Sequence, residues 1–242
     1  MEDTRLVIVA DAHFGAAPAS DETAFLAFLD QVPRPGDTLL LAGDIFDYWF
    51  SYRRLIPRRS FRIAAALTTI ARQIPVALVG GNHDRWGGSF WQDDAGIRFE
   101  PHRLAYPTTS GPVHLIHGDG LHEEHPGAAW MHRATSSPTV IAIYRLLHPD
   151  FGFWLAGKMG HNLAYGESHP EAVQAAAERQ HRWATTELTR DASIRAIVMG
   201  HTHREAAVEV DPGRWYVNPG AWLDGHRYAT LDADGATLRQ FA

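Results

Sequence analysis

The chain has 242 residues, 45% of them hydrophobic and 21% charged, which excludes disordered and fibrous classes and suits a packed chain with a radius of gyration of roughly 18 Å. Twenty-two Lys and Arg against 28 Asp and Glu leave a net charge of −6, the opposite of the basic footprint of a dedicated nucleic-acid binder. There is no cysteine, so disulfides, thiolate metal sites and cysteine nucleophiles are excluded together.

The first residues run directly into an apolar segment at 6–10, which reads as a buried strand. Ser20 or Asp21 can cap a helix whose Phe25, Leu26, Phe28 and Leu29 share a face, and Pro33 and Pro35 close it. A strand at 38–42, a helix at 61–74 and a strand at 76–79 follow. This alternation implies βαβ units and a layered α/β fold. Residues 103–106 and 114–116 read as paired strands. Residues 121–168, rich in His, Trp and Pro, break the rhythm with apolar helical clusters and read as a helical insertion within one domain spanning 1–242. A long helix at 170–188 then leads to strands at 196–199, 206–210, 214–218, 227–232 and 236–239, with turns at Asp211-Pro212-Gly213 and Asp234-Gly235. The N-terminus has neither a basic start nor a long apolar core, and no apolar stretch approaches the ~20 residues of a membrane-spanning helix. The expected location is cytoplasmic, with peripheral contact at the inner membrane through the insertion.

Chemistry follows the strands. Asp11-Ala12-His13, Gly43-Asp44-Ile45-Phe46-Asp47, Gly80-Gly81-Asn82-His83-Asp84, His117-Gly118-Asp119 and Gly200-His201-Thr202-His203 each come directly after an apolar run. Ligands of open α/β sheets bind beyond the carboxyl ends of the strands. Asp11 and His13, like His201 and His203, are two apart, which on extended backbone puts both side chains on one face. Five such segments at the same structural address point to one shared metal site. Oxygen and imidazole donors without thiolate suit Mn²⁺, with Fe or Zn²⁺ as alternatives.

Asp-x-His, Gly-Asp-x-x-Asp, Gly-Asn-His-Asp, His-Gly-Asp and Gly-His-x-His, in that order over residues 11–203, resemble the calcineurin-like metallophosphoesterases. The resemblance implies a four-layer α/β/β/α sandwich and two divalent metal ions. One ion would take Asp11, His13, Asp44 and His203; the other would take Asp44, Asn82, His117 and His201, with Asp44 shared. It also implies that His83 protonates the leaving oxygen or stabilises the transition state, with Asp47 orienting its ring. Two such ions keep a residual positive charge beside Asp11 and Asp44, which favours a phosphoryl group and lowers the pKa of bound water.

The runs Gly43-Asp44-Ile45-Phe46-Asp47-Tyr48-Trp49-Phe50, Gly81-Asn82-His83-Asp84-Arg85-Trp86, His117-Gly118-Asp119-Gly120-Leu121 and Leu147-His148-Pro149-Asp150-Phe151-Gly152 are similar to those of UDP-2,3-diacylglucosamine diphosphatases. This narrower resemblance implies hydrolysis of a lipid-linked nucleotide, a cap over its acyl chains lined by residues such as Trp130, Met131, Ile141, Tyr144, Leu147, Phe153 and Trp154, and substrate contacts at Arg85 and Asn162. Arg133, Arg145 and Lys158 would meet anionic headgroups, and the basic run Arg53, Arg54, Arg58 and Arg59 would reach phosphate. The alternatives are a phosphodiesterase or phosphatase of a soluble nucleotide-like substrate, and a metal-binding module without catalysis. No nucleic-acid partner is expected, and oligomeric state is not legible.

Overall fold

The computed structural model describes residues 4–121, 126–161 and 170–242. Eleven strands among them form two sheets. The first has the order β11(Gly235–Gln240)-β10(Arg227–Asp232)-β1(Leu6–Val9)-β2(Thr38–Leu41)-β3(Val76–Val79)-β4(Arg98–Glu100). Its four strands β1 to β4 are parallel, and β10 and β11 extend it antiparallel. The second sheet has the order β5(Arg103–Tyr106)-β6(Val113–Ile116)-β7(Ala196–Val198)-β9(Arg214–Asn218)-β8(Ala206–Asp211). The expected pairing of 103–106 with 114–116 is the antiparallel β5–β6 ladder, Arg103 opposite Ile116.

Strand alternation explains the layers. On β1, Leu6 and Ile8 join Leu40, Val79, Leu115, Val198 and Val217 in a core between the two sheets. Val7 and Val9 point the other way, toward Phe25, Phe28 and Leu29 of α1(Ala19–Gln31), Ile63 and Leu67 of α2(Phe61–Ile70), and Trp91 of α3(Phe90–Asp93). On the far side of the second sheet, Ala184 and Leu188 of α7(Pro170–Arg190) cover Ile197, Met199 and Tyr216. Strands buried on both faces must be apolar throughout, which is why 6–10 and 38–42 read as unbroken hydrophobic runs. The result is the expected α/β/β/α sandwich.

Some local boundaries differ from those the sequence suggests. The first helix begins at Ala19 with Pro18 at its N-cap position and no side-chain cap, so Ser20 and Asp21 lie inside its first turn. There Asp21 and Glu22 still favour the positive end of the helix. The second helix ends at Ile70, and residues 71–74 close as turns onto Ile70 and Thr69 carbonyls, because the residue before Pro75 is driven out of the helical region. Helix α3 and strand β4 are four and three residues long, too short to show a period.

Between β6 and α7 come α4(Pro126–Ser136), α5(Pro138–Tyr144) and α6(Pro149–His161). They touch the sandwich along a polar and aromatic seam. Tyr144 packs on Phe50 with ring centroids 4.7 Å apart, Phe153 meets Tyr48 edge-on at 5.2 Å, and the Tyr48 hydroxyl donates to that of Tyr144 at 2.8 Å. Trp86 Nε1–H donates to the Thr135 carbonyl at 2.8 Å. No residue of α5 is buried, and Trp130, Ile143, Leu146, Phe151 and Trp154 are at least half exposed. No helix among the described residues is long and apolar enough to cross a membrane.

At the seam's centre stands Arg85, 4% exposed. Its guanidinium pairs with Asp119, donates Nε–H to the Gly81 carbonyl at 3.1 Å and reaches Ser136 Oγ at 3.1 Å. His132 Nδ1 lies 3.0 Å from the same Asp119 carboxylate. One cation thus ties the loop after β3, the loop after β6 and α4 together. Burial would raise the Asp119 carboxyl, but His132 and Arg85 overcome it and hold it well below the usual range. The carboxyl's contribution to stability is therefore full above about pH 4 and is lost as the pH falls further. Arg85→Ala leaves Asp119 buried without its main counter-charge and is expected to cost about 3 kcal/mol or more in urea unfolding at neutral pH; a loss under about 1 kcal/mol would show that the clasp is only a surface pair.

Candidate metal centre

All five sequence segments singled out above meet at the carboxyl end of the strands. Asp11 and Asp44 sit on the loops after the parallel neighbours β1 and β2, 0% and 2% exposed. Main-chain bonds lace these two loops: Asp11 N–H donates to the Gly43 carbonyl at 3.1 Å, and the N–H groups of Ala12 and His13 donate to Asp44 O at 2.9 and 3.0 Å. Three groupings of side chains then bring ligand-type atoms within 4.8 Å of one another: Asp11, His13 and His203; His13, Asp44 and His83; and Asp44, His117 and His201.

The convergence has a different cause from the one expected. Asp11, His13, Asp44, His201 and His203 are not extended; their φ angles are 52°, 48°, 51°, 69° and 55°. Only His226 joins them among described non-glycine residues with positive φ. Left-handed backbone costs about 1–3 kcal/mol where a side chain is present and persists where the surroundings impose it. Here it turns five donors inward at the points where the strands end. The adjoining glycines leave no room for anything else: a Cβ on Gly200 would lie 2.6 Å from Asp11 Oδ2, and one on Gly81 would strike Asp44 Oδ1.

Two of the imidazoles are held by their far side. His117 Nδ1 bonds the Ala42 carbonyl at 2.9 Å, which turns Nε2 to within 3.1 Å of Asp44 Oδ2 and 3.9 Å of Asp11 Oδ1. His203 Nδ1 lies 3.1 Å from Asp224 Oδ2, and its Nε2 is 3.7 Å from Asp11 Oδ1. Such outer partners fix tautomer and ring direction in metal sites. The His201 N–H donates to both Asp11 oxygens at 3.0 Å, and the His83 N–H to Asp44 Oδ1 at 2.8 Å. Buried Gln180 and Asn218 brace the loop carrying His201 and His203 through the Gly200 carbonyl and Thr202 Oγ1.

The residues fit a cationic occupant. Asn82 Oδ1 is buried and lacks a hydrogen-bond partner among the described residues, a costly state unless a donor or a cation supplies positive charge. Burial pushes the Asp11 carboxyl up to about 6 against the pull of His117 and His203, and holds His13 down at about 3. Burial would also raise Asp44, but His117 and His83 hold it well below the ordinary carboxylate range. Burial alone would lower the His117 pKa, but Asp44 raises it well above its ordinary value.

Around this cluster the other expected residues divide. His83 stands edge-on to His13, with centroids 4.8 Å apart, and its Nε2 is 4.0 Å from Asp44 Oδ2. Asp47 holds it through the main chain: His83 Nδ1 is 2.6 Å from the Asp47 carbonyl, whereas the carboxylate stays 4.0 Å away. Arg85, expected at the substrate, is buried in the seam and directed at Asp119, Gly81 and Ser136. Asn162 lies outside the described residues. Two further groups act from outside the candidate ligand set. Asp84 accepts four backbone N–H groups, from Gly81, Asp44, Ile45 and Phe46, and so locks the Asp44 loop to the Asn82 loop. Asp224 follows no motif, and only the folded chain brings it to His203.

Residues 4–205 match the family model of calcineurin-like phosphoesterases. The chain belongs to that family and is a metal-dependent phosphoester hydrolase. Along nearly its whole length it is also similar to proteins named UDP-2,3-diacylglucosamine hydrolase. It is 24% identical to the one from Porphyromonas gingivalis over 97% of this chain and 96% of that protein. It is 26% identical to the one from Xanthomonas oryzae pv. oryzae over 98% of each, and 23% identical to one from a Shewanella species over 97% of each.

Metal uptake must displace protons from this cluster, so affinity should weaken as pH falls. With Asp11 raised to about 6, Mn²⁺ binding followed by calorimetry is expected to lose about tenfold per pH unit below that point for each proton displaced. An affinity that stays flat between about pH 5 and 7 would contradict the assignment of Asp11 as a ligand.

Proposed function

We propose that the chain hydrolyses the pyrophosphate bond of UDP-2,3-diacylglucosamine, giving UMP and 2,3-diacylglucosamine 1-phosphate. The observation that carries this reading is the pairing of a buried Asp/His centre with an apolar, poorly buried set of helices on one side of it. A substrate with acyl chains at one end and phosphates in the middle needs that combination. End-to-end similarity to relatives of that name supports it.

Two divalent ions, Mn²⁺ first among the candidates, would be held by Asp11, His13, Asp44 and His203 and by Asp44, Asn82, His117 and His201. When bound they would draw the phosphoryl oxygens and lower the pKa of water near neutral pH. The chain's own residues supply the rest. His83, with Nδ1 committed to the Asp47 carbonyl, presents Nε2 to the centre. Burial would strip its proton, but Asp44 and Asp47 raise it above its ordinary value, the direction a proton donor needs. A water that has given up a proton to solvent attacks one phosphorus, the bond from that phosphorus to the bridging oxygen breaks, and the leaving oxygen takes the His83 proton.

The cap also supports peripheral contact with a membrane. Trp130, Ile143, Leu146, Phe151 and Trp154 are exposed on the same helical segment that carries exposed Arg133, Arg145 and Lys158. The 51–72 segment, whose Tyr52 hydroxyl reaches α6 at Gly152, carries six arginines and no acid in a chain of net charge −6. Apolar side chains with basic neighbours are what an anionic lipid surface binds.

His83→Ala is expected to keep its metal content and lose roughly 10²–10⁴ in turnover. Asp47→Ala leaves the carbonyl that holds the ring and should lose less than about tenfold. Elemental analysis with steady-state rates checks both, and equal losses would shift the orienting role to the carboxylate. Comparison of acylated UDP-glucosamine with a small aryl phosphodiester should give at least about a hundredfold preference in kcat/KM for the former; a preference for the aryl ester would overturn the lipid reading.

A further inference from the structure

The cap meets the sandwich on the His117 and Asp119 side of the centre. On the other side, beside His203, lies a cleft of about 460 Å³ between α7 and the β8–β9 edge of the second sheet. Its volume falls within the ~300–1,000 Å³ of small-molecule sites. The wall shared with the metal centre is His203, whose ring Asp224 fixes from the cleft side. At the back, the His181 ring lies flat on Tyr216, with centroids 5.3 Å apart and planes 10° from parallel. The mouth carries the Gln174 amide and the Glu178 carboxylate.

Two arginines line this space in different states. Arg227 is held by Glu205 and by the Asp224 carbonyl. Arg204 directly follows His203, is exposed, and makes no ion pair among the described residues. Such a cation one residue from a metal-site histidine, opening onto a polar cleft with an aromatic wall, suits a ligand with one phosphate, hydroxyls and a flat ring. An acyl chain would find these walls too polar.

We propose that this cleft is the nucleoside subsite: it takes the nucleoside monophosphate end of the substrate, with Arg204 at the phosphate. The inference rests on the reading that the substrate is a nucleoside diphosphate ester, and it places the two ends of that molecule on opposite sides of the centre. Apolar helices receive one and the α7 cleft the other.

The test is calorimetric binding of UMP and of inorganic phosphate to the Mn²⁺-loaded protein. Ala177→Trp fills the cleft from α7, and Arg204→Ala removes the cation at an exposed position, so the second variant keeps the test alive if the first does not fold. In Ala177→Trp the Kd for UMP is expected to rise roughly tenfold or more, a loss of about 1.4 kcal/mol, while the Kd for phosphate moves less than about twofold; in Arg204→Ala, which removes the partner of the phosphate itself, both are expected to weaken, UMP by roughly tenfold. UMP affinity indifferent to both substitutions, or UMP and phosphate weakening in step in Ala177→Trp, would overturn the subsite. Should the unsubstituted protein cleave an aryl diester but not acylated UDP-glucosamine while UMP still depends on the cleft, the subsite stands and the lipid reading falls. If it cleaves the acylated compound but UMP binding is indifferent to the cleft, the lipid reading stands and the subsite falls.

Discussion

Asp11 and Asp44 are carboxylates taken out of water at the ends of adjacent parallel strands, and much of the surrounding architecture answers that one constraint. A buried charge is tolerated only where it is paired and hydrogen-bonded. Main-chain N–H groups from His201 and His83 and the Nε2 of His117 reach these carboxylates from three further loops. The compensation is partial, since Asn82 Oδ1 remains without a hydrogen-bond partner among the described residues. What is left over is a demand for positive charge, which is the property a site for divalent ions and phosphoryl groups must have.

Satisfying that demand fixes backbone as well as side chains. Five donors adopt left-handed φ, and Asp84, Gln180 and Asn218 hold the loops that carry them. Strain of this kind needs a rigid frame, and the two buried sheets provide it. The cap is built to a looser standard. It meets the frame through Arg85, Trp86 and the Tyr48–Tyr144 contact, and leaves large apolar side chains in solvent. A rigid centre flanked by a greasy, lightly held cover suits chemistry at a fixed point on a substrate whose one end is lipid.

The candidate donors are legible in the sequence because strand–loop boundaries are among its strongest marks. Runs such as 6–10 end abruptly in Asp or Gly, and the order of the five segments is specific. How the donors converge is not legible. Two-residue spacing suggests extended backbone at Asp11-x-His13 and His201-x-His203, whereas the folded chain uses left-handed turns, which depend on tertiary bonds to neighbouring loops. Arg85 reads as a substrate contact because it stands in a motif; its partners Asp119 and Ser136 come from segments that only folding brings near. Asp224 carries no local signal at all. Helix α3 and strand β4 are too short to show a period, and Ser20 is no cap because Pro18 takes the N-cap position and the helix begins at Ala19.

The most direct test is anomalous scattering from a crystal of the protein grown with Mn²⁺. Two peaks are predicted at the strand ends, separated by the roughly 3.5–4 Å typical of two-metal sites, with the Asp44 carboxylate between them and Asn82 and His117 on the same ion. Absence of density there, or a single ion bound away from Asp44, would contradict the account.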